Sequence, residues 1–370
     1  MNITLVRATP VHVPVTRSGA MSQGTRTQIA ATIVEVETDA GLIGLGETRG
    51  DWAAAMINDR LAPKLIGIPV ADRHSARRAC LPRHLDFGFV EQMLLVSAFS
   101  GIEMALWDLL GKQSGLPVFR LLGGPVRERA LFAAYAYNVD LAEGYSESQV
   151  PSMMAELAGR MIKETGASLL EFKIGRHSVP CDIATVLAVR QALGRDVQLA
   201  VDVNMVFTFD EARRFLDGVA DAGLSNIEEP MAALADVERL RREFGVPVST
   251  HCPNLDALQP YPMIDAVVSD LNYHGGIEGT IEMVQAVTSH HRRFWLRAMW
   301  ELGIAWAAMC HLGMVRPELD RPAQALIHLA ADDLITGDPW LLHKGGVRPP
   351  DLPGLGVELD REALRRFAVQ

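Results

Sequence analysis

The sequence predicts an α/β protein built on a parallel barrel, preceded by a smaller α+β segment. Three observations carry that reading. From residue 126 onwards, short apolar runs alternate with helical segments of about 10–18 residues, the pattern of strands buried between layers of helix. The first 50 residues instead read as strands around an Asp39-Ala40-Gly41 turn, as in an antiparallel hairpin. Between the two, Leu94, Ala98, Ile102, Ala105, Leu106 and Leu109 recur at spacings of three and four, which marks a helix over 91–111.

The elements follow in order. A strand over 26–39 turns into a second at 42–45, and the helix after them ends before Leu121-Leu122-Gly123-Gly124-Pro125, where paired glycines and a proline cannot continue it. Strands are expected at 130–138, 168–174, 197–204, 225–229, 247–252, 266–271, 293–299 and 324–330. Helices are expected near 147–164, 179–194, 208–222, 233–244, 277–291 and 302–312. Eight strands separated by helices imply a barrel of the triosephosphate-isomerase kind. The Gly- and Pro-rich stretch from 336 is expected to return to the first segment, giving domains of 1–125 and 126–335 and a returning segment of 336–370.

Composition narrows the function. Against 45 Asp+Glu stand 35 Lys+Arg, a net charge of −10 over 370 residues, which repels nucleic acid. No apolar run is expected to reach the ~18 residues of a membrane span, and the N-terminus lacks a basic stretch followed by an apolar core. Cys80, Cys181, Cys252 and Cys310 are scattered, which fits reduced thiols and a cytoplasmic location.

In such a barrel the chemistry sits at the carboxyl ends of the strands. There the second strand offers Glu171 and Lys173, the third Asp202 and Asn204, and the fourth Glu228 and Glu229. The fifth offers His251, the sixth Asp270 and the seventh Arg297. Two carboxylates on adjacent strand ends, Asp202 and Glu228, suit an oxygen-seeking dication such as Mg²⁺. They also suit helix capping and ion pairing. Lys173 is a candidate general base, or the ion-pair partner of Glu171 two residues away on the same face. His251 reads as a ligand, a base or a core histidine. Arg297 is a poor acid or base and a good clamp for a carboxylate.

Several motifs in order resemble the enolase superfamily, in its mandelate racemase and muconate lactonising branch. They are Gly44-Leu45-Gly46-Glu47-Thr48, Gly101-Ile102-Glu103-Met104-Ala105-Leu106-Trp107-Asp108, Phe172-Lys173-Ile174-Gly175, Val201-Asp202-Val203-Asn204, Ile227-Glu228-Glu229-Pro230 and Pro353-Gly354-Leu355-Gly356. Ser249-Thr250-His251-Cys252 and Gly303-Ile304-Ala305 look most like the glucarate dehydratase-like members. The resemblance implies a modified (β/α)7β barrel under an N-terminal α+β capping domain, and frequent assembly as a homo-oligomer, a dimer or an octamer. It implies a lyase in which Mg²⁺ binds a substrate carboxylate and a base removes the adjacent proton, with a cycloisomerase, an epimerase or a decayed barrel as alternatives. Lys173 matches the base, and Asp202 and Glu228 match two metal ligands. His251 stands where the third ligand falls, which admits a divalent metal other than Mg²⁺. Asp270 matches a carboxylate that orients a histidine, and the position of that histidine holds Arg297, so an Asp270–Arg297 salt bridge is expected. The substrate is expected to be a small carboxylate of acid-sugar type. Arg17 in the loop 16–25, Arg49, Glu171, Asn204 and Glu301 are candidate substrate contacts, with the loop serving as a lid.

Overall fold

The computed structural model describes residues 1–84 and 89–369. Three antiparallel strands, Ile3–Met21, Gly24–Thr38 and Ile43–Arg49, form the first sheet. The helix Val90–Ser114 packs on it and ends where Gly115 takes a left-handed φ of 68°, a conformation that costs glycine little. Strand and helix touch closely enough to exclude side chains. A Cβ on Gly46 would lie 1.8 Å from the carbonyl oxygen of Gly101, and one on Gly44 would lie 2.2 Å from that of Ala105. Both obstacles are backbone, so neither can rotate away. Gly46→Ala is therefore expected to cost about 4 kcal/mol or more, the scale of severe core disruption. A melting temperature within a few degrees of the parent would contradict that close approach.

By length and composition this helix would span a membrane, with a mean hydropathy of 1.6 over its best window. The expectation from sequence passed over it because Glu103 and Asp108 interrupt its apolar run. It is the core helix of the cap, with 78% of that window buried. Both carboxylates are satisfied inside. Asp108 pairs with Lys112 at 2.7 Å and accepts from the Leu45 and Leu355 N–H groups. Glu103 accepts from Trp107, Ile277 and Glu278.

Seven parallel strands make the second sheet: Ala134–Ala136, Leu169–Lys173, Gln198–Asp202, Asn226–Glu228, Val248–Thr250, Ala266–Ser269 and Arg293–Leu296. They neighbour one another in chain order, as right-handed crossovers produce. The expected first strand, 130–138, divides: Ala130–Leu131 pairs antiparallel with Gly346–Val347, and only Ala134–Ala136 joins the parallel sheet. The expected eighth strand, 324–330, is a correction. Ala323 bridges Phe132, and the Gln324 N–H donates to the Leu296 carbonyl at 2.9 Å. That short run links the two sheet edges and closes the curl. Beyond it the chain turns through a 3₁₀ segment, Ile327–Leu329, because the cap competes for it: Ala330 bridges Val15, and Ala331 donates to the Pro14 carbonyl.

The segment 16–25, expected as a lid loop, is a hairpin tip whose Met21 and Gln23 line the cavity over the barrel mouth. Its strands run through to Met21 and from Gly24, with a register shift between Pro14 and Gly19. The tip is pinned: Ala20 bridges Asn138, and the Ser22 hydroxyl donates to the Val203 carbonyl at 3.2 Å. At the far end of the chain, Ala368 bridges Val11, and the Val369 N–H donates to the Pro10 carbonyl.

Candidate active site

Parallel pairing aligns Lys173 with Asp202, and Asp202 with Glu228, in one row across three adjacent strands. Neighbouring strands lie about 4.8 Å apart, so the three side chains converge. Glu171, two residues before Lys173, shares its face one layer deeper. All four are buried. Glu171, Asp202 and Glu228 each present an oxygen within 4.8 Å of the others'.

The groups around them set their charge. The Lys173 amine makes a close ion pair with Asp202 and donates to Asn204 Oδ1 at 2.6 Å. The Tyr135 hydroxyl donates to the same Asp202 oxygen at 2.9 Å. Arg321, stacked 3.7 Å from the Trp295 ring, donates to Glu171 Oε2 at 3.1 Å. Gln324 Nε2 spans two acids, 2.5 Å from Glu171 Oε1 and 3.1 Å from Glu228 Oε1. Burial is the largest influence on Asp202 and favours its neutral form, but the Lys173 charge together with hydrogen bonds from Lys173 and Tyr135 holds the carboxyl below its usual range. Glu171 and Glu228 are each pushed up to about 8, by burial first and then by a neighbouring carboxylate. Three acids therefore face two cations. The donor set fits a hard dication, which takes oxygen ligands and would favour their ionised forms.

His251 stands next to this group, its Nε2 2.8 Å from Glu228 Oε1. Burial lowers its pKa to about 4, so the ring is neutral. On the far wall Arg297 Nε donates to Asp270 Oδ2 at 2.8 Å, the salt bridge expected from the sequence. Burial works against both charges, yet the pair wins: Asp270 lies below its usual range and Arg297 above.

A cavity of about 230 Å³ opens over Lys173, Asp202, Glu228 and His251, with Arg26, Arg49 and Arg297 on its walls. Arg49 and Asn204 line it, as the sequence suggested. Arg17 and Glu301 are outside its lining. The Arg17 guanidinium is spent on the Tyr137 carbonyl at 2.9 Å. Glu301 is buried and accepts from the Met299 N–H at 2.6 Å. Nor does Glu171 reach the cavity wall; its partners are Arg321 and Gln324 rather than Lys173. Sequence reasoning missed four residues here: Tyr135, Arg26, Arg321 and Gln324. Tyr135 and Gln324 come from the first and last barrel segments, whose contributions to the mouth it did not count. Asn204, Glu229 and Trp300 hold left-handed φ of 54°, 47° and 67°, strained for non-glycine residues and clustered at strand ends around the site.

Comparison with known proteins decides the family. Residues 153–363 match the "Enolase C-terminal domain-like" model, and residues 3–123 match "Mandelate racemase / muconate lactonizing enzyme, N-terminal domain". The chain belongs to the enolase superfamily. A probable glucarate dehydratase from Streptomyces coelicolor is 28% identical, over 98% of this chain and 90% of its own. A D-galactarolactone cycloisomerase from Agrobacterium fabrum is also 28% identical, over 91% of each. The crystal structure of an enolase described as a putative sugar isomerase from Streptomyces coelicolor superposes with a TM-score of 0.89 at 30% identity, covering 99% of this chain and 96% of that one. As an enolase-superfamily member, then, this protein has relatives among both lyases and isomerases.

Proposed function

We propose that this protein is a metal-dependent lyase that removes the α-proton of a hydroxylated carboxylate and eliminates water, with Lys173 as the base. The supporting observation is the placement of the Lys173 amine, at the cavity floor and on Asp202. Asp202 and Glu228 would hold the dication. Bound there, a divalent cation supplies positive charge against which a substrate carboxylate gains negative charge as its α-proton leaves.

The remaining steps belong to the chain's own side chains. Lys173 acts in its neutral amine form: released from its pairing with Asp202, it takes the α-proton, and the ammonium so formed can pass a proton to the leaving hydroxyl. The Cβ–O bond breaks, water departs, and the enol left behind becomes a 2-keto acid. Arg297 cannot be a second base: it stays protonated and is locked to Asp270. That argues against two-base racemisation and for loss of proton and hydroxyl from one face. Arg26, Arg49 and Arg297 suit an anionic, hydroxyl-rich substrate of acid-sugar type. The four cysteines, all free thiols, support a cytoplasmic location.

A panel of acid sugars assayed for 2-keto products in the presence of Mg²⁺ tests the reading. At least one is expected to give a 2-keto acid. Exchange of the α-proton in deuterated water without that product would make the protein an isomerase. Absence of both product and exchange would leave a barrel that binds without reacting.

A further inference from the structure

The resemblance puts His251 where the third metal ligand falls, and two considerations argue against its serving there. Its Nε2 is already engaged by Glu228 Oε1 at 2.8 Å. Imidazole nitrogen is also a softer donor than Mg²⁺ takes. Meanwhile a third carboxylate has appeared on a different strand. Glu171, on the second barrel strand, brings an oxygen within 4.8 Å of ligand atoms on both Asp202 and Glu228, and all three residues are buried.

Burying that carboxylate is costly unless it is matched. Arg321 pairs with Glu171 and Lys173 with Asp202, which leaves Glu228 beside a neutral His251 with no cation of its own among the described residues. Hydrogen bonds from Gln324 to both Glu171 and Glu228 ease the repulsion but add no charge. A divalent cation would give all three carboxylates a common partner.

We infer that Glu171 is the third protein ligand of the metal, and that His251 positions Glu228 instead of coordinating. The inference rests on the metal-dependent reading above and relocates one ligand from the fifth strand to the second. It also gives a reason for a carboxylate at 171 beside the candidate base. That carboxylate belongs to the metal site, held from behind by Arg321 and Gln324.

The test uses the full chain and Mn²⁺, with Mg²⁺ as competitor. By calorimetry, Glu171→Gln is expected to weaken Mn²⁺ binding by about 100-fold or more, and His251→Gln by less, because glutamine can still hydrogen-bond Glu228 and loss of an outer partner costs about 10–100-fold. Glu171→Gln strands Arg321, so a second measurement avoids mutation altogether. Electron spin-echo spectra of Mn²⁺-loaded wild type are expected to lack the ¹⁴N coupling of a coordinated histidine. Strong ¹⁴N coupling, or Mn²⁺ affinity unchanged in a folded Glu171→Gln chain, would overturn the inference and leave the metal-dependent reading standing. Failure of the wild type to bind Mn²⁺ at millimolar concentration would overturn both.

Discussion

Lys173→Ala is expected to lower kcat/KM for the α-proton-abstracting reaction by about 10²–10⁴-fold, the range a positioned general base contributes. Alanine alone is an ambiguous test. Removing the ammonium leaves Asp202 buried with its close partner gone, and breaking a buried pair costs about 3–5 kcal/mol, so a loss of folded protein would imitate a loss of catalysis. Lys173→Arg separates the two. Arginine keeps a cation within reach of Asp202 and Asn204, but it does not surrender its proton in this pH range. The arginine variant is therefore expected to melt near the wild type and yet to be as inactive as the alanine variant. Solvent-deuterium exchange at the substrate α-carbon, followed beside the melting temperature, reads both effects. Exchange persisting in Lys173→Arg at more than a tenth of the wild-type rate would remove Lys173 as the base.

What the sequence disclosed divides along the distance between partners. Period-two alternation and the rule that barrel chemistry sits at strand ends placed Lys173, Asp202 and Glu228 together. Those residues end consecutive strands, and the register joins them directly. The Asp270–Arg297 pair was legible for the same reason, since the sixth and seventh strands are neighbours. Glu171 was not. Its partners come from 150 and 153 residues away, on a segment whose strand pairing is only a bridge long. Arg17 failed similarly. Nothing local shows that a guanidinium in a hairpin will be consumed by a backbone carbonyl 120 residues further on. The motif Gly44-Leu45-Gly46-Glu47-Thr48 was recognised as a pattern, but its physical content needed the structure: two glycines that let a helix touch the strand, and one acid that reaches the barrel.

That acid carries the second large effect. Glu47 is 2% exposed, and it accepts from the Leu302 N–H at 2.7 Å and the Ala305 N–H at 2.9 Å. These are orphan donors around the start of the helix Gly303–Val315, where a carboxylate also meets the positive end of the helix dipole. The contact clasps the cap to the barrel at the start of that helix. Glu47→Ala is expected to cost about 2–4 kcal/mol, because two buried N–H groups lose their acceptor. The carboxyl is also pushed from 4.5 up to about 8, chiefly by burial, with the two N–H groups pulling the other way. A glutamate whose folded pKa is raised holds its proton more tightly in the native state. Its contribution to stability is thus complete below about 4.5 and is lost as pH rises through about 8. Glu103, raised to about 7 on the neighbouring helix start, adds to the same slope. The Glu47 contribution to the melting temperature, read as wild type against Glu47→Gln, is accordingly expected to fall between pH 5 and pH 9. Glu47→Gln keeps a neutral acceptor for one N–H group and cannot ionise, so it is expected to start lower at pH 5 and to fall less steeply. Melting curves measured across that range for both chains decide the matter. Parallel slopes would mean that Glu47 stays ionised throughout, with the helix dipole and its two hydrogen bonds outweighing burial.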